Sequence, residues 1–510
     1  MNTAIFPTPD RFATDTKNNA GGVAYSLPDE HALAQLVCTG TFNGTYYVKA
    51  ESQLAQLVEL LNKVPVYYAA QLAVYARESG LMKDMPIAVL AWLSTKHVEF
   101  FKSIFPRVIQ NVGNVRTFVQ MIRSGVFGRK SLGTAPKKCI QKFLRETSAD
   151  TLFWQSVGDS PSFADVLKLV HPKPISPAHD ALFGYLIGRD YDYSALPQAV
   201  RDFEVFKKDM SQPLPKTDFR RLTALPLKAN HWSALASNMT WNQARLNINT
   251  MARHGVFADS VVTAQICKKL KDTASTTRSG VLPFALWNTQ RNLAPDVPAT
   301  VAIAMGSALD AVVENVPTLT LKTLVLVDIS GSMGNAITGE RGSATTNVSC
   351  AQAAIFFATS LFKKNPDQVT VWTFDSSIRS KVKFNPRDSL ESLIASVPFT
   401  GGSTSVSCGV VEACKTSEWD NIIIVSDNES WRDIAYGPRS PTVTAMKQYI
   451  SKRPNAKLIC WDLTPNTTTQ SPDSKWCLNV GGYSDSVYGV IANFFENGST
   501  WVSTIKQTVV

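Results

Sequence analysis

Four short apolar runs in the last third of the chain alternate with helical periodicity, and this constrains the fold more than any other feature. The runs are Val325-Leu326-Val327, Val369-Thr370-Val371-Trp372, Ile422-Ile423-Ile424-Val425 and Leu458-Ile459-Cys460-Trp461. Helix-like segments lie between and after them, near 351–363, 388–396, 406–415 and 442–451. Continuous apolar strands are buried on both faces. Strands of that kind separated by helices predict a parallel, doubly wound α/β sheet. A junction is expected at Pro317-Thr318-Leu319-Thr320, dividing the chain into 1–317 and 318–510.

The first three hundred residues have a different texture. Leu54, Leu57, Val58, Leu60 and Leu61 recur at helical spacing, and Val66–Ala76 continues after a proline. Pro86 suits the first turn of a further helix, where its missing N–H costs nothing. Further periodic segments cover Phe101–Ile109, Val115–Ile122, Cys139–Leu144, Phe163–Val170, Asp180–Ile187 and Val261–Leu270. Short polar connections between them suit a solenoid of stacked helices, although no strict repeat period is visible.

Charge separates the two parts as well. The chain carries a formal +10, and residues 101–150 alone hold ten Lys/Arg against two Asp/Glu. Such concentration points to a polyanion partner, most often nucleic acid, rather than to a uniformly solvated surface. Arg129, Lys130, Lys137 and Lys138 are read at a helix start, where backbone N–H groups also favour phosphate. No stretch approaches the roughly 18 apolar residues of a membrane span. Met1–Pro7 has neither a basic start nor an apolar run, so a cytoplasmic location and no membrane partner are expected. The eight cysteines form no CxxC pair and are expected to be reduced and buried, without zinc.

Asp328-Ile329-Ser330-Gly331-Ser332 follows the first apolar run directly. That position lies in the crevice beyond a strand's carboxyl end, where open α/β sheets bind ligands. Positions 328, 330 and 332 offer one carboxylate and two hydroxyls. Gly401-Gly402-Ser403-Thr404 adds a hydroxyl, and Asp427 a second carboxylate. Few charges and several hydroxyls suit Mg²⁺, which keeps waters and leaves room for an outside ligand.

These loops, together with Thr373-Phe374-Asp375, resemble a von Willebrand factor A domain with its metal-ion-dependent adhesion site. The resemblance implies direct metal contacts from Ser330, Ser332 and Thr404, with Asp328 and Asp427 acting largely through water.

The helical part is similar to the TROVE module of the Ro ribonucleoprotein family. The likeness begins with Gly21-Gly22-Val23-Ala24-Tyr25, Cys38-Thr39-Gly40 and Gly44-Thr45-Tyr46-Tyr47. It continues through Gly128–Gly133 with Lys137-Lys138, His171-Pro172-Lys173-Pro174, Trp232–Met251 and Leu282-Pro283-Phe284. It implies a ring of HEAT-like helical repeats closed by the A domain. The implied partners are small noncoding Y-like RNAs on a basic outer face and the 3′ ends of misfolded or decaying RNAs in a central hole. An exoribonuclease partner, a role in RNA quality control or turnover and a monomeric state belong to the same expectation. His171, with Lys173, matches the family's RNA-contacting segment. Leu246-Asn247-Ile248 departs from the family's Arg-Asn-Leu, and no role is carried over to it.

Catalysis is not expected. The chain has no GxxxxGK[ST] or GxGxxG loop, Gly331-Ser332-Met333 does not complete a GxSxG elbow, and two-metal hydrolysis calls for more carboxylates. The alternative to RNA binding is a protein-binding scaffold that grips an acidic side chain through the metal. That reading gives residues 101–150 no reason for their charge.

Overall fold

The computed structural model describes residues 12–39, 50–80, 82–278, 281, 283–338, 348–416, 418–433, 438–464, 466–483 and 486–510. Gly40, Gly44–Tyr47 and Leu282 of the family motifs lie outside the described residues.

The chain forms two compact units that do not follow sequence order. One comprises Met1–Lys63, Leu270–Leu293 and Ala302–Lys506. The other comprises Val64–Lys269, Ala294–Val301 and Gln507–Val510.

The first unit is built on a six-stranded sheet. From edge to edge its strands are Ile378–Val382, Val369–Phe374, Thr323–Asp328, Asn421–Ser426, Lys457–Asp462 and Cys477–Gly481. All neighbours are parallel except the first pair, Ile378–Val382 on Val369–Phe374. Thr323–Asp328 pairs on one side with Val369–Phe374 and on the other with Asn421–Ser426, so the strand order reverses there. This is the crevice position expected for the loop after Asp328.

Both faces of the sheet are buried, which is why its central strands read as unbroken apolar runs. Leu324, Leu326, Ile422, Ile424 and Leu458 pack against Val406, Val410 and Met446 on one face. On the other, Trp461 lies 4.5 Å from Phe357 of the Cys350–Lys364 helix, measured between ring centres. Trp287 stacks on Phe356 of that same helix at 4.9 Å, bringing the Pro283–Arg291 helix into this unit. A small sheet joins the chain's beginning to its end: Thr16–Lys17 pairs with Val23–Ser26, which pairs with Thr468–Thr469.

The second unit is helical, with helices packing on their sequence neighbours and next neighbours as in stacked repeats. Met85–Lys96 carries Pro86 in its first turn. Val98–Val108 and Val112–Arg123 share a core in which Phe101 stacks on Phe118 at 5.8 Å. Phe163–Val170 begins at a Ser162 capping box and ends at His171, whose φ of 50° closes the helix in the left-handed region. The fold class expected from the sequence, stacked helices plus a doubly wound α/β domain, is the one found. The eight cysteines are free, but Cys139, Cys267, Cys408 and Cys414 are only partly buried.

Candidate metal centre and basic cavity

Three loops meet at the reversal point of the sheet. The chain after Asp328 is zipped to the 401–402 segment: Gly331 N donates to Gly402 O at 2.8 Å, and Gly401 N to Ile329 O at 3.0 Å. Ser405 N donates to Asp375 O at 2.8 Å, so the Thr373-Phe374-Asp375 motif positions Thr404 from below. Gly402 is needed for this seating, since a Cβ there would fall 2.2 Å from an Asp375 carboxylate oxygen. Val406 N donates to Ser430 Oγ at 3.0 Å, which ties in the loop carrying Asp427.

Asp328 is fully buried. Its Oδ1 accepts from Ser330 N at 2.8 Å and its Oδ2 from Ser426 Oγ at 2.6 Å. Burial first, and the Asp427 carboxylate second, push its pKa up. Asp427 is pushed up by burial too, against the pull of the Ser332 hydroxyl and the Glu429 amide. Ser330 Oγ is buried without a hydrogen-bond partner of regular geometry.

Two further acids, missed in the sequence, border the pair. Asp462 ends its own strand, and burial followed by Asp427 and Glu429 drives its pKa well up. Glu429, pushed up to about 7 chiefly by burial, accepts from Asn19 Nδ2 at 3.0 Å and from Ala20 N at 3.1 Å. The ordinary signal for both is a carboxylate at or just beyond a buried strand's C-terminal end.

These residues fit a hard divalent cation. Among the described residues no three carboxylate, imidazole or thiolate side chains converge closely enough to hold a metal by themselves. A cation here needs hydroxyl donors, and an orphaned buried hydroxyl beside carboxyls short of countercharge supplies one.

The second site lies in the helical unit, where the Val112–Arg123, Thr134–Glu146 and Phe163–Val170 helices meet. A cavity of about 460 Å³ is lined by Arg123, Lys130, Ser131, Thr134, Lys137 and Leu169, among others. The N-cap of Thr134–Glu146 is Gly133, at φ 74°, with no side chain to cap the first turn. Its open N–H groups and dipole therefore add to the positive field.

The sequence-predicted basic residues divide here. Lys130 and Lys137 line the cavity, whereas Lys138 is exposed away from it. Lys137 and Lys138 are in the first helical turn, but Arg129 and Lys130 belong to the preceding loop. Arg129 turns inward, donating from Nη2 to the buried Ser94 Oγ at 2.9 Å, and burial lowers its pKa. His171 and Lys173 are exposed just beyond Leu169, with Gln141 Nε2 donating to Val170 O at 2.8 Å to fix that helix end. Arg123 was missed, because as the last residue of a helix it reads as ordinary C-terminal charge.

A parallel sheet with hydroxyl-rich loops at its reversal point, joined to stacked helices with a basic cavity, defines a helical-repeat protein carrying a von Willebrand factor A domain. Residues 322–495 match the family model described as the Ro60 vWA domain. A curated relative, the RNA-binding protein RO60 of Deinococcus radiodurans, is 24% identical over 521 residues, covering 94% of each chain. The crystal structure of the Deinococcus radiodurans RO (RSR) protein superposes with a TM-score of 0.65 at 19% identity, covering 92% of this chain and 100% of that one. The chain is thus similar to a Ro protein over most of its length, and to the Ro60 vWA domain across residues 322–495.

Proposed function

We propose that the chain is an RNA-binding protein whose helical unit holds structured RNA at the Arg123–Lys130–Lys137 cavity. The observation that carries this reading is the convergence of three cations on one uncapped helix start. Phosphate is the ligand such a site suits. The deep, narrow major groove of an RNA duplex is closed to side chains, so recognition falls to shape, phosphates and unpaired ends. His171 and Lys173, exposed at the same edge, extend the contact. The relative's name, an RNA-binding protein, supports this assignment.

Noncoding Y-like RNA and misfolded or decaying RNA with a single-stranded 3′ end are the proposed partners, in RNA quality control or turnover beside an exoribonuclease. The protein acts as a monomer in the cytoplasm and catalyses no reaction itself. Among the described residues no helix is long and apolar enough to cross a membrane.

Mg²⁺ is the proposed occupant of the loop site, with Ser330, Ser332 and Thr404 as direct donors and Asp328 and Asp427 behind water. When bound it would supply a positive centre for a carboxylate or phosphate of an outside ligand.

The test is RNA affinity as a function of salt. Lys130→Ala with Lys137→Ala should weaken binding of a structured RNA and lower the log–log salt slope by about 1.4–1.8, at roughly 0.7–0.9 per lost phosphate contact. Unchanged affinity and slope would place the RNA surface elsewhere.

A further inference from the structure

The loop between the Val112–Arg123 and Thr134–Glu146 helices brings a hydroxyl to the basic cavity. Its side chains divide between inside and outside. Arg129 is drawn in to Ser94 Oγ at 2.9 Å and Leu132 is buried, whereas Lys130 and Ser131 between them are exposed. A Cβ at Gly125 would lie 3.1 Å from Lys130 Cγ and Cε, so the lysine stem runs close over the start of the loop. Ser131 is therefore open to another protein and also part of the cavity lined by Arg123, Lys130 and Lys137.

We propose that Ser131 is a phosphorylation site whose phosphate occupies this cavity and shuts RNA out, a reading that rests on the RNA assignment of the cavity and adds its regulation. The co-reactants are ATP and a serine kinase that accepts basic flanks. The bond from the γ-phosphorus to the ADP oxygen breaks, the bond from phosphorus to Ser131 Oγ forms, and the hydroxyl proton passes to the kinase's base.

Phosphoserine brings about −1.5 to −2 charges at pH 7 and three acceptor oxygens. Lys130 and Lys137 supply the opposite charge, and the uncapped helix start lies two residues beyond Ser131, at Gly133. The third wall carries charges of both signs. On the Phe163–Val170 helix Asp165 lies near Arg123 and Lys168, and accepts from Ser162 N at 2.9 Å and Ser162 Oγ at 2.7 Å. Asp165 offsets part of Arg123, which leaves Lys130 and Lys137 as the principal holders of the phosphate.

Neighbouring hydroxyls suit the role less well. Thr134 also lines the cavity, but it is the first residue of its helix, and a kinase that takes its substrate extended would have to unwind that turn. Ser124 is engaged with its own helix end, donating to Met121 O at 2.6 Å and accepting from Val126 N at 3.3 Å. A phosphate tethered at Ser131 competes with RNA at an effective concentration in the millimolar range. RNA that still binds does so without these contacts and against a like charge.

The first test uses the full chain, ATP labelled at its γ-phosphate and a serine kinase selective for basic sequences. Label should enter the wild type at Ser131 and be lost from Ser131→Ala. Label found only at Thr134 or elsewhere overturns the assignment. The phosphorylated protein is then compared, on one RNA hairpin, with the same protein after phosphatase treatment. Phosphate should weaken binding by about tenfold or more and lower the log–log salt slope by about 1.4–1.8, and phosphatase should restore both. Phosphorus NMR follows the phosphate without RNA. Its second pKa, about 6 when free, should fall in the wild type and return towards 6 in Lys130→Ala with Lys137→Ala. A value that stays near 6 in the wild type means that the phosphate does not enter the cavity, and the switch is wrong while the RNA reading stands. If that pKa falls but RNA affinity is the same with and without the phosphate, the RNA reading of the cavity fails and its regulation falls with it.

Discussion

Asn19 donates from Nδ2 to Oε1 of Glu429 at 3.0 Å, fastening a turn near the start of the chain to the loop that carries Asp427. Asn18 Nδ2 adds a bond to Ser430 O at 2.7 Å, and Asn18 Oδ1 accepts from Gly22 N at 2.7 Å. The Gly-Gly segment that resembles the opening of a TROVE module thus braces the loop that carries Asp427. Its two glycines have different reasons: Gly21 sits at φ 86°, and Gly22 lies against Ser430.

Gly22→Ala should therefore destabilise the A-domain unit. A Cβ at 22 would fall 1.8 Å from the Ser430 carbonyl oxygen, so backbone has to move. Overpacking of this kind costs about 1–3 kcal/mol. Denaturant unfolding measures it, and a variant as stable as wild type would mean that the turn is not seated on the loop in solution.

A carboxylate hydrogen-bonded to His31 gives a pH signature. Asp473 Oδ2 lies 2.7 Å from His31 Nδ1, and Asp473 Oδ1 accepts from Asn479 N at 2.9 Å and Nδ2 at 2.8 Å. Burial alone would raise this carboxyl, but His31 and the Asn479 donors outweigh it and hold the pKa below its ordinary value. A depressed carboxyl stabilises the fold above its unfolded pKa of about 3.9, and that contribution is lost as pH falls through the lower folded value. Asp473→Asn should cost about 1.5–3 kcal/mol near pH 6, the range for hydrogen bonds to a charged group. The gap from wild type should close below about pH 4. A gap that stays constant down to pH 3 would rule out the ionised carboxylate as its source.

Removing a carboxylate of the proposed Mg²⁺ site should leave the fold standing. Asp328→Ala leaves the Ser330 amide and the Ser426 hydroxyl without their acceptor, yet it also relieves the burial of a carboxylate beside Asp427. These effects oppose, so the metal-free thermal transition should shift by only a few degrees. Mg²⁺ at about ten times its Kd should stabilise the wild type by about 1.4 kcal/mol and the variant not at all. Equal stabilisation of both proteins would place the cation elsewhere.

The loops at the sheet's reversal point were legible in the sequence because a buried parallel strand announces its own end. Four apolar residues followed by Asp or Ser mark where a side chain enters the crevice. The edge strand Ile378–Val382 was not visible, since Ile378-Arg379-Ser380-Lys381-Val382 alternates and is half exposed, which resembles a loop in isolation. Asp462 and Glu429 were hidden for another reason. Asp462 comes near Asp427 through the pairing of neighbouring strands, not through chain order, while Glu429, two residues beyond Asp427, draws its shift chiefly from burial, which the sequence does not display. Likewise a basic run shows that charge is concentrated but not which way each side chain turns. Arg129 and Lys130 are adjacent in sequence, and only Lys130 lines the cavity.

That last difference separates structure from binding at neighbouring positions. Arg129→Ala removes the donor to the buried Ser94 hydroxyl and should lower stability by about 1–2 kcal/mol, with RNA affinity unchanged well below the melting transition. Lys130→Ala should do the reverse, leaving stability alone while the salt slope of RNA binding falls by about 0.7–0.9. Lys138→Ala should change neither by much, because Lys138 is exposed away from the cavity. His171→Ala gives a fourth pattern. A histidine stacked on RNA would lose about 1–3 kcal/mol of affinity with little change in slope. Melting curves and salt titrations of the four variants on one structured RNA distinguish these outcomes. If Arg129→Ala weakens RNA binding as Lys130→Ala does, and without loss of stability, then Arg129 reaches outward in solution and the division drawn at the cavity's rim is wrong.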